Sequence, residues 1–365
     1  MSGTRREPAG ARQPWRPTGP VVCVGETMAA LVPDPPEPLE HVRELSLSVA
    51  GAESNVATYL ADHGVPVAWL SALGDDPLGR RVRAAVSAAG VDVSYVRTDA
   101  HRPTGLLVKN PGPAGTRVHY YRAGSAASAL GPALLDEEPV RSAGLLHFTG
   151  ITPALSPSCR DLLTRALDLP AERRPHAVSF DVNHRPALWP HGTASTLLLR
   201  LADRADIVFV GLDEAQGLWG EDLTVTALRR LLPHPRVLVV KDGARGATAF
   251  TGHGAHTVPA LPATVVEPVG AGDAFAAGFL AGLLRGAAPD KALRLGHITA
   301  VSALHVTADH GPLPSPREIH RLLDLPAEEW EALGPACSPD VEGEVPLRGA
   351  GGDGVDVAPG PAVGA

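Results

Sequence analysis

"VVEPVGAGDAFAAGFLAG", residues 265–282, sets a single acid, Asp273, directly after a Gly-Ala-Gly turn and directly before a run of small apolar residues. In an open α/β sheet, ligands lie in the crevice at the carboxyl ends of the strands, where helix N-termini converge. At such a strand-to-helix turn, Gly270, Ala271 and Gly272 present backbone N–H groups with little side-chain bulk. The helix that follows adds partial positive charge at the same spot, which suits a phosphate or a developing oxyanion. Asp273 is then placed as a base beside an anion hole. An Asp at a helix start also serves as a plain N-cap, and the residues alone leave both readings open. Ala274, Phe275, Ala276, Ala277, Phe279 and Leu280 would bury the helix and hold the acid rigidly. The chain has no Gly-x-x-x-x-Gly-Lys-Ser/Thr, so a Walker-type loop is excluded.

Working outward, short apolar runs alternate with helical patterns. "VVCVG", "VAWLSALG", "LLHFTG", "AVSFDVN", "DIVFV" and "RVLVVKD" read as buried strands, which predicts an α/β fold with a mainly parallel sheet. Two stretches break the rhythm. Residues 43–50 alternate Leu45, Leu47 and Val49, and residues 104–122 read as a hairpin around an Asn-Pro-Gly turn, so pieces at about 33–50 and 101–124 are expected to form a small β-sheet lid. An ordered body is expected over 20–330, with disordered tails at 1–19 and 335–365. The chain has 365 residues, a formal net charge of -8, 44% hydrophobic and 20% charged residues, enough for a sizeable core. The acidic balance and the lack of a Lys/Arg block argue against a nucleic-acid surface. Three scattered cysteines give no zinc or disulfide pattern and fit a reducing cytoplasm. Apolar runs are too short for export or a membrane span.

"GAGDAFAAGF" resembles the C-terminal signature of the ribokinase-like (PfkB-type) carbohydrate kinases. A second stretch, "AGAESNVATYLADHGVPVAWLSALGDDPLGRRV" from Ala50 to Val82, is similar to that family's Gly-Gly-x-x-x-Asn segment and the Gly-x-Asp-x-x-Gly after it. The resemblance covers roughly residues 20–325 and implies a three-layer sandwich with a β-sheet lid over a sugar. It implies ATP and Mg2+, with Asp273 as general base, the Gly270–Gly272 turn as anion hole, and Gly51 and Asn55 at the sugar.

Within the family the chain most resembles the 2-keto-3-deoxygluconate kinases. Glu53 stands where fructokinases usually carry Pro and ribokinases Lys. "HYYRAGSAASAL", residues 119–130, is similar to those enzymes' Tyr-Tyr-Arg segment, which implies that Tyr120 and Arg122 touch the substrate. "FDVNHRPALW", residues 180–189, matches their Asp-x-Asn-x-Arg-x-x-Leu-Trp. A sugar acid needs a carboxylate partner, and a guanidinium offers planar, charge-assisted donors. Arg122 is assigned to the carboxylate end, and Arg185 to the transferring phosphate or the sugar.

On the nucleotide side the resemblance implies Asn183, Glu214 with magnesium through water, Gly243 and Gly246 in "KDGARGATAF", and His297 in the adenine-pocket helix. The chain departs from the family pattern at Glu267-Pro268-Val269, which leaves a monovalent-cation requirement open, and at Ala50, Leu107 and Gly211. The competing readings are a fructokinase or other ketose or sugar-acid kinase, and an idle family member that senses a sugar. A hydride-transferring Rossmann enzyme is disfavoured because a third glycine is missing. Oligomeric state is left open, a homo-oligomer included.

Overall fold

The computed structural model describes residues 15–112, 115–168, 170, 174, 176–189 and 192–333. Of the two expected tails, 1–14 and 335–365 lie outside the described residues. Residues 15–19 lie against the body: Trp15 stacks under Arg236 at 5.1 Å, and Arg16 donates to the Leu284 carbonyl at 3.3 Å.

An eight-stranded sheet runs in the spatial order Gly254–Val258, Ala247–Thr251, Val237–Lys241, Ile207–Gly211, Ala177–Asp181, Leu145–Thr149, Val21–Val24 and Val67–Leu70. The pairs from Val237–Lys241 through to Val67–Leu70 are all parallel, and the two strands at the other edge pair antiparallel. Strand alternation then builds two cores. Val22, Val24, Leu146, Phe148, Val208 and Val210 pack on one face, while Val21, Cys23, Leu145, Ile207 and Phe209 pack on the other. Helices cover both faces, giving the expected three layers. "VAWLSALG" splits at Ser71: Val67–Leu70 joins the main sheet, whereas Ala72–Gly74 pairs with Arg97–Asp99, and the Ser71 carbonyl accepts the Arg97 N–H.

The lid is a four-stranded sheet in the order Leu45–Ala50, Met28–Pro33, Leu106–Asn110, Arg117–Tyr121. The hairpin expected over 104–122 is present, with Leu107 opposite Tyr120 and Lys109 opposite Val118. Met28–Pro33 was not among the expected strands. Its "MAALVP" shows no alternation because five of its six residues are buried, between a lid neighbour on each side and the body below. The lid strand Leu45–Ala50 passes through Gly51 straight into the helix Ala52–Asp62, so lid and body share one continuous segment.

The helices Ala271–Leu284 and Pro289–Leu304 approach closely through glycines. A Cβ on Gly278 would lie 2.4 Å from Thr299 Oγ1 and 2.5 Å from the Leu295 carbonyl, and one on Gly282 would lie 2.9 Å from Ala292 Cα. Backbone cannot yield there as a side-chain tip can. Gly278→Ala is therefore expected to destabilise the protein by about 1–3 kcal/mol, the usual cost of overpacking, despite alanine's better helix propensity. Urea unfolding checks this; equal or greater stability would mean that the two helices are free to move apart.

Candidate active site

The carboxyl ends of the central strands and the N-termini of three helices meet at one edge of the sheet. The strand Ala177–Asp181 delivers Asp181 and, past its end, Asn183 and Arg185. The strand Val237–Lys241 ends on Lys241, and the helix Leu212–Trp219, which follows Ile207–Gly211 directly, brings Glu214 in its first turn. The helix Ala52–Asp62 supplies Asn55, and Ala271–Leu284 supplies Asp273.

Asp273 is the third residue of its helix, and the N-cap is Gly270, so the plain N-cap reading is set aside. Its carboxylate is held by two amides: Asn55 Nδ2 donates to Oδ2 at 2.9 Å, and Asn183 Nδ2 donates to Oδ1 at 3.1 Å. Gly270 has φ 88°, and a Cβ there would lie 2.7 Å from the Asp309 carbonyl oxygen, so glycine is required on both counts. Asn183 has φ 37°, the one non-glycine positive φ among the described residues. Asparagine tolerates this conformation better than most. Its bonds to Asp273 and to Asp181 Oδ1 hold the loop there, while its own Oδ1 is buried without a partner.

Burial raises the pKa of Asp273 to about 7; the Asn55 bond and the nearby Arg185 and Lys241 act against the rise, and Asp181 adds to it. Lys241 Nζ is paired with Asp181 Oδ2 at 2.8 Å and lies where a Cβ on Gly272 would come within 3.3 Å of it. Burial works against the Lys241 charge, yet Asp181 and Glu214 outweigh it and raise its pKa. An ammonium and a helix dipole thus converge beside the Gly270–Gly272 turn, where the Ala271 N–H donates to the Pro268 carbonyl at 3.3 Å, an arrangement suited to negative charge on a transferring group. Burial, aided by Asp181, raises the pKa of Glu214, which accepts the His184 and Gly211 N–H groups at 3.1 and 3.0 Å.

Between the lid and this edge lies a cleft of about 330 Å3, lined among others by Gly51, Asn55, Tyr120, Arg122, Arg185 and Asp273. Gly51 is close-packed, since a Cβ on it would lie 2.5 Å from the Glu26 carbonyl oxygen. Arg122 reaches the cleft but is not a free cation. Its Nε and Nη2 are bonded to Glu26 Oε2 at 2.6 and 2.5 Å, and Ser125 Oγ donates to the other Glu26 oxygen. Its guanidinium carbon stands 5.6 Å from the Tyr120 ring centre. Arg185 is the more open of the two, its side chain 40% exposed and 3.8 Å from Glu214.

The other expected residues divide. Gly243 and Gly246 form the turn after Lys241, both at positive φ, with the Asp242 N–H bonded to the Gly246 carbonyl. His297 is buried beside Phe275 and bonded through Nε2 to the Val258 carbonyl, and it does not line the cleft. Burial lowers its pKa to about 4, so it is neutral. Leu107 lines the cleft, whereas Glu53 turns away from it, under Gly25, and accepts from Thr149 N, Thr149 Oγ1 and Thr152 Oγ1. Sequence reasoning missed Lys241, Asp181, Glu26 and Lys109. Lys241 had a signal, as a charge closing an otherwise apolar strand; so had Lys109, in the buried register of Leu107.

Among the described residues, no three Asp, Glu, His or Cys side chains are grouped to hold a metal ion. Glu214 is a single acid whose oxygens already accept two backbone N–H groups, which fits a divalent ion bound mainly through phosphates and water.

Since the Asp273 pKa rises from 3.8 to about 7 on folding, the folded protein keeps a proton in that window that the unfolded chain has lost. Stability due to this group therefore falls as pH rises through the window. Asp273→Asn has no such titration, so its melting temperature should gain on that of the wild type between about pH 4 and about pH 7. A difference independent of pH would mean an ordinary carboxylate.

Residues 19–316 match the family model described as pfkB family carbohydrate kinase. A 2-dehydro-3-deoxygluconokinase of Thermoproteus tenax is 37% identical over 309 residues, 83% of this chain and 94% of the relative. A 2-dehydro-3-deoxygalactonokinase of Haloferax volcanii is 34% identical, over 84% of this chain and 97% of that one. Among solved structures, a PfkB protein from Polaromonas sp. JS666 superposes with a TM-score of 0.74 at 37% identity, covering 83% of this chain and 99% of that one. The family model spans most of the chain and the relatives are more than 30% identical over most of their length, so the chain belongs to the pfkB carbohydrate kinases.

Proposed function

We propose that the enzyme transfers the γ-phosphoryl group of ATP to the terminal C6 hydroxyl of 2-keto-3-deoxygluconate, with Asp273 as general base. The observation that carries the chemistry is Asp273 itself: a carboxylate held between two amides, at the floor of a sugar-sized cleft and beside a helix N-terminus. Asp273 takes the hydroxyl proton as the oxygen bonds to the γ-phosphorus, and the bond from that phosphorus to the β-phosphate oxygen breaks, releasing ADP. Gly270–Gly272 N–H groups and Lys241 stabilise charge on the moving phosphoryl group. Glu214 would hold a magnesium ion through water, and the ion, when bound, would supply charge neutralisation on the nucleotide phosphates. The sugar-acid assignment is supported by relatives named for 2-keto-3-deoxy sugar acids and by arginines at the cleft. The Haloferax volcanii relative's name favours a second reading, the galactonate counterpart of the same acid.

Asp273→Asn is expected to keep the fold and lose about 100-fold or more in kcat, the usual worth of a positioned base. Near wild-type turnover in the folded variant would remove the role. In the wild type, kcat/KM should rise with pH through about 7 as the base loses its proton.

Arg122 would meet the substrate carboxylate with Nη1, since Nε and Nη2 are taken by Glu26. Removing it also leaves Glu26 buried without its partner, so absolute activity mixes binding with stability. The ratio between substrates separates them. Arg122→Gln should lose roughly 10- to 150-fold in kcat/KM for the sugar acid, and far less for a neutral ketose such as fructose. Equal losses would make Arg122 structural, and a wild-type preference for fructose would move the assignment to a fructokinase.

A further inference from the structure

Lys109 lies on the lid strand Leu106–Asn110, in the same register as Leu107, and its side chain is only 3% exposed. Its ammonium does not reach for solvent. Nζ donates to Asp309 Oδ1 at 2.9 Å and to the Thr307 carbonyl at 3.2 Å, and it stands 4.0 Å from Glu267 Oε2. A lid side chain therefore grips two segments of the body, the 307–309 loop and the stretch leading into the Gly270 turn.

The grip continues to the base. Asp309 Oδ2 accepts from Asn55 Nδ2 at 3.3 Å, the same amide nitrogen that donates to Asp273 Oδ2 at 2.9 Å. The Asp309 backbone also lies against Gly270, where an added Cβ would come within 2.7 Å of its carbonyl oxygen. One amide nitrogen has two hydrogens, one for each carboxylate. Lys109 neutralises Asp309 and so leaves Asn55 free to hold Asp273 firmly. Without the ammonium, Asp309 and Glu267 become buried, uncompensated carboxylates, and Asp309 competes for the Asn55 amide.

We infer that Lys109 is a positioning residue: it latches the lid strand to the anion-hole turn and, through Asp309 and Asn55, fixes the orientation of Asp273. The inference rests on the proposed role of Asp273 as the base. The lid then serves the chemical step as well as enclosing the sugar, because the latch is complete only with the strand Leu106–Asn110 in place.

The test compares Lys109→Met, Asp309→Asn and the double variant in an ADP-release assay, using the sugar that the wild type turns over fastest. Lys109→Met should lose on the order of 100-fold in kcat, the scale of a misplaced catalytic group, with the KM for ATP unchanged within about threefold. The double variant keeps Glu267 but lacks the carboxylate that competes for the Asn55 amide, so it should lie within about tenfold of the wild type, a recovery that a packing role would not give. Methylammonium in excess should raise the kcat of Lys109→Ala and leave that of the wild type unchanged. Should Lys109→Met not fold, the double variant and the amine response decide alone. A folded Lys109→Met with wild-type kcat, or a double variant no better than the single with no response to amine, overturns the inference. Full activity in Asp273→Asn would sink this inference together with the assignment of the base. An inactive Asp273→Asn beside an unaffected Lys109→Met would sink this one alone.

Discussion

A carboxylate taken out of water must be answered by something, and Asp273 is answered by two neutral amides. That choice governs the rest of the site. An amide donates a hydrogen bond without neutralising the charge, so the acid is held in place while its affinity for a proton stays high. An arginine or lysine in direct contact would hold it as well but would pull its pKa down. The cations stand one residue away instead: Lys241 is bound to Asp181, and Arg185 leans toward Glu214. Asn183 accepts a left-handed backbone to reach its place, and strain of this kind persists only where the surroundings over-determine it.

The same separation recurs around the cleft. Arg122 is paired with Glu26, Lys109 with Asp309 and Lys241 with Asp181, so each buried cation here has its own acid. Buried pairs add little net stability, because desolvation offsets most of their attraction. Their contribution here is geometric: each pair ties one element to another and fixes where the remaining donors of its cation lie. The cleft is therefore lined by charges that are set in position and largely balanced before substrate arrives.

Much of this was legible in the sequence because it is carried by local pattern. Apolar runs gave the parallel strands, alternation gave the lid hairpin, and a glycine turn before an acid gave the helix start that meets the carboxyl ends of the strands. What escaped was non-local. Lys241 and Lys109 sit at the end of one strand and within another, and only the assembled fold shows the acids that face them, 60 and 200 residues away in the chain. Met28–Pro33 escaped because a strand buried on both sides loses the alternation that marks a half-exposed one. His297 was assigned by motif, and its bond to the Val258 carbonyl is another contact that only the assembled fold shows.

Glu53 shows how far a diagnostic residue can stand from what it diagnoses. The resemblance set it apart from the residue expected of a fructokinase, yet its carboxyl lies beneath Gly25, where an added Cβ would fall 2.1 Å from Glu53 Cδ, and two threonines occupy one of its oxygens. Gly25, Glu53, Thr149 and Thr152 thus form a packing unit whose members can change only in concert. Grafting another subgroup's residue at position 53 would disturb that unit and leave the sugar's surroundings untouched. Asn55, on another face of the same helix, lines the cleft beside the lid.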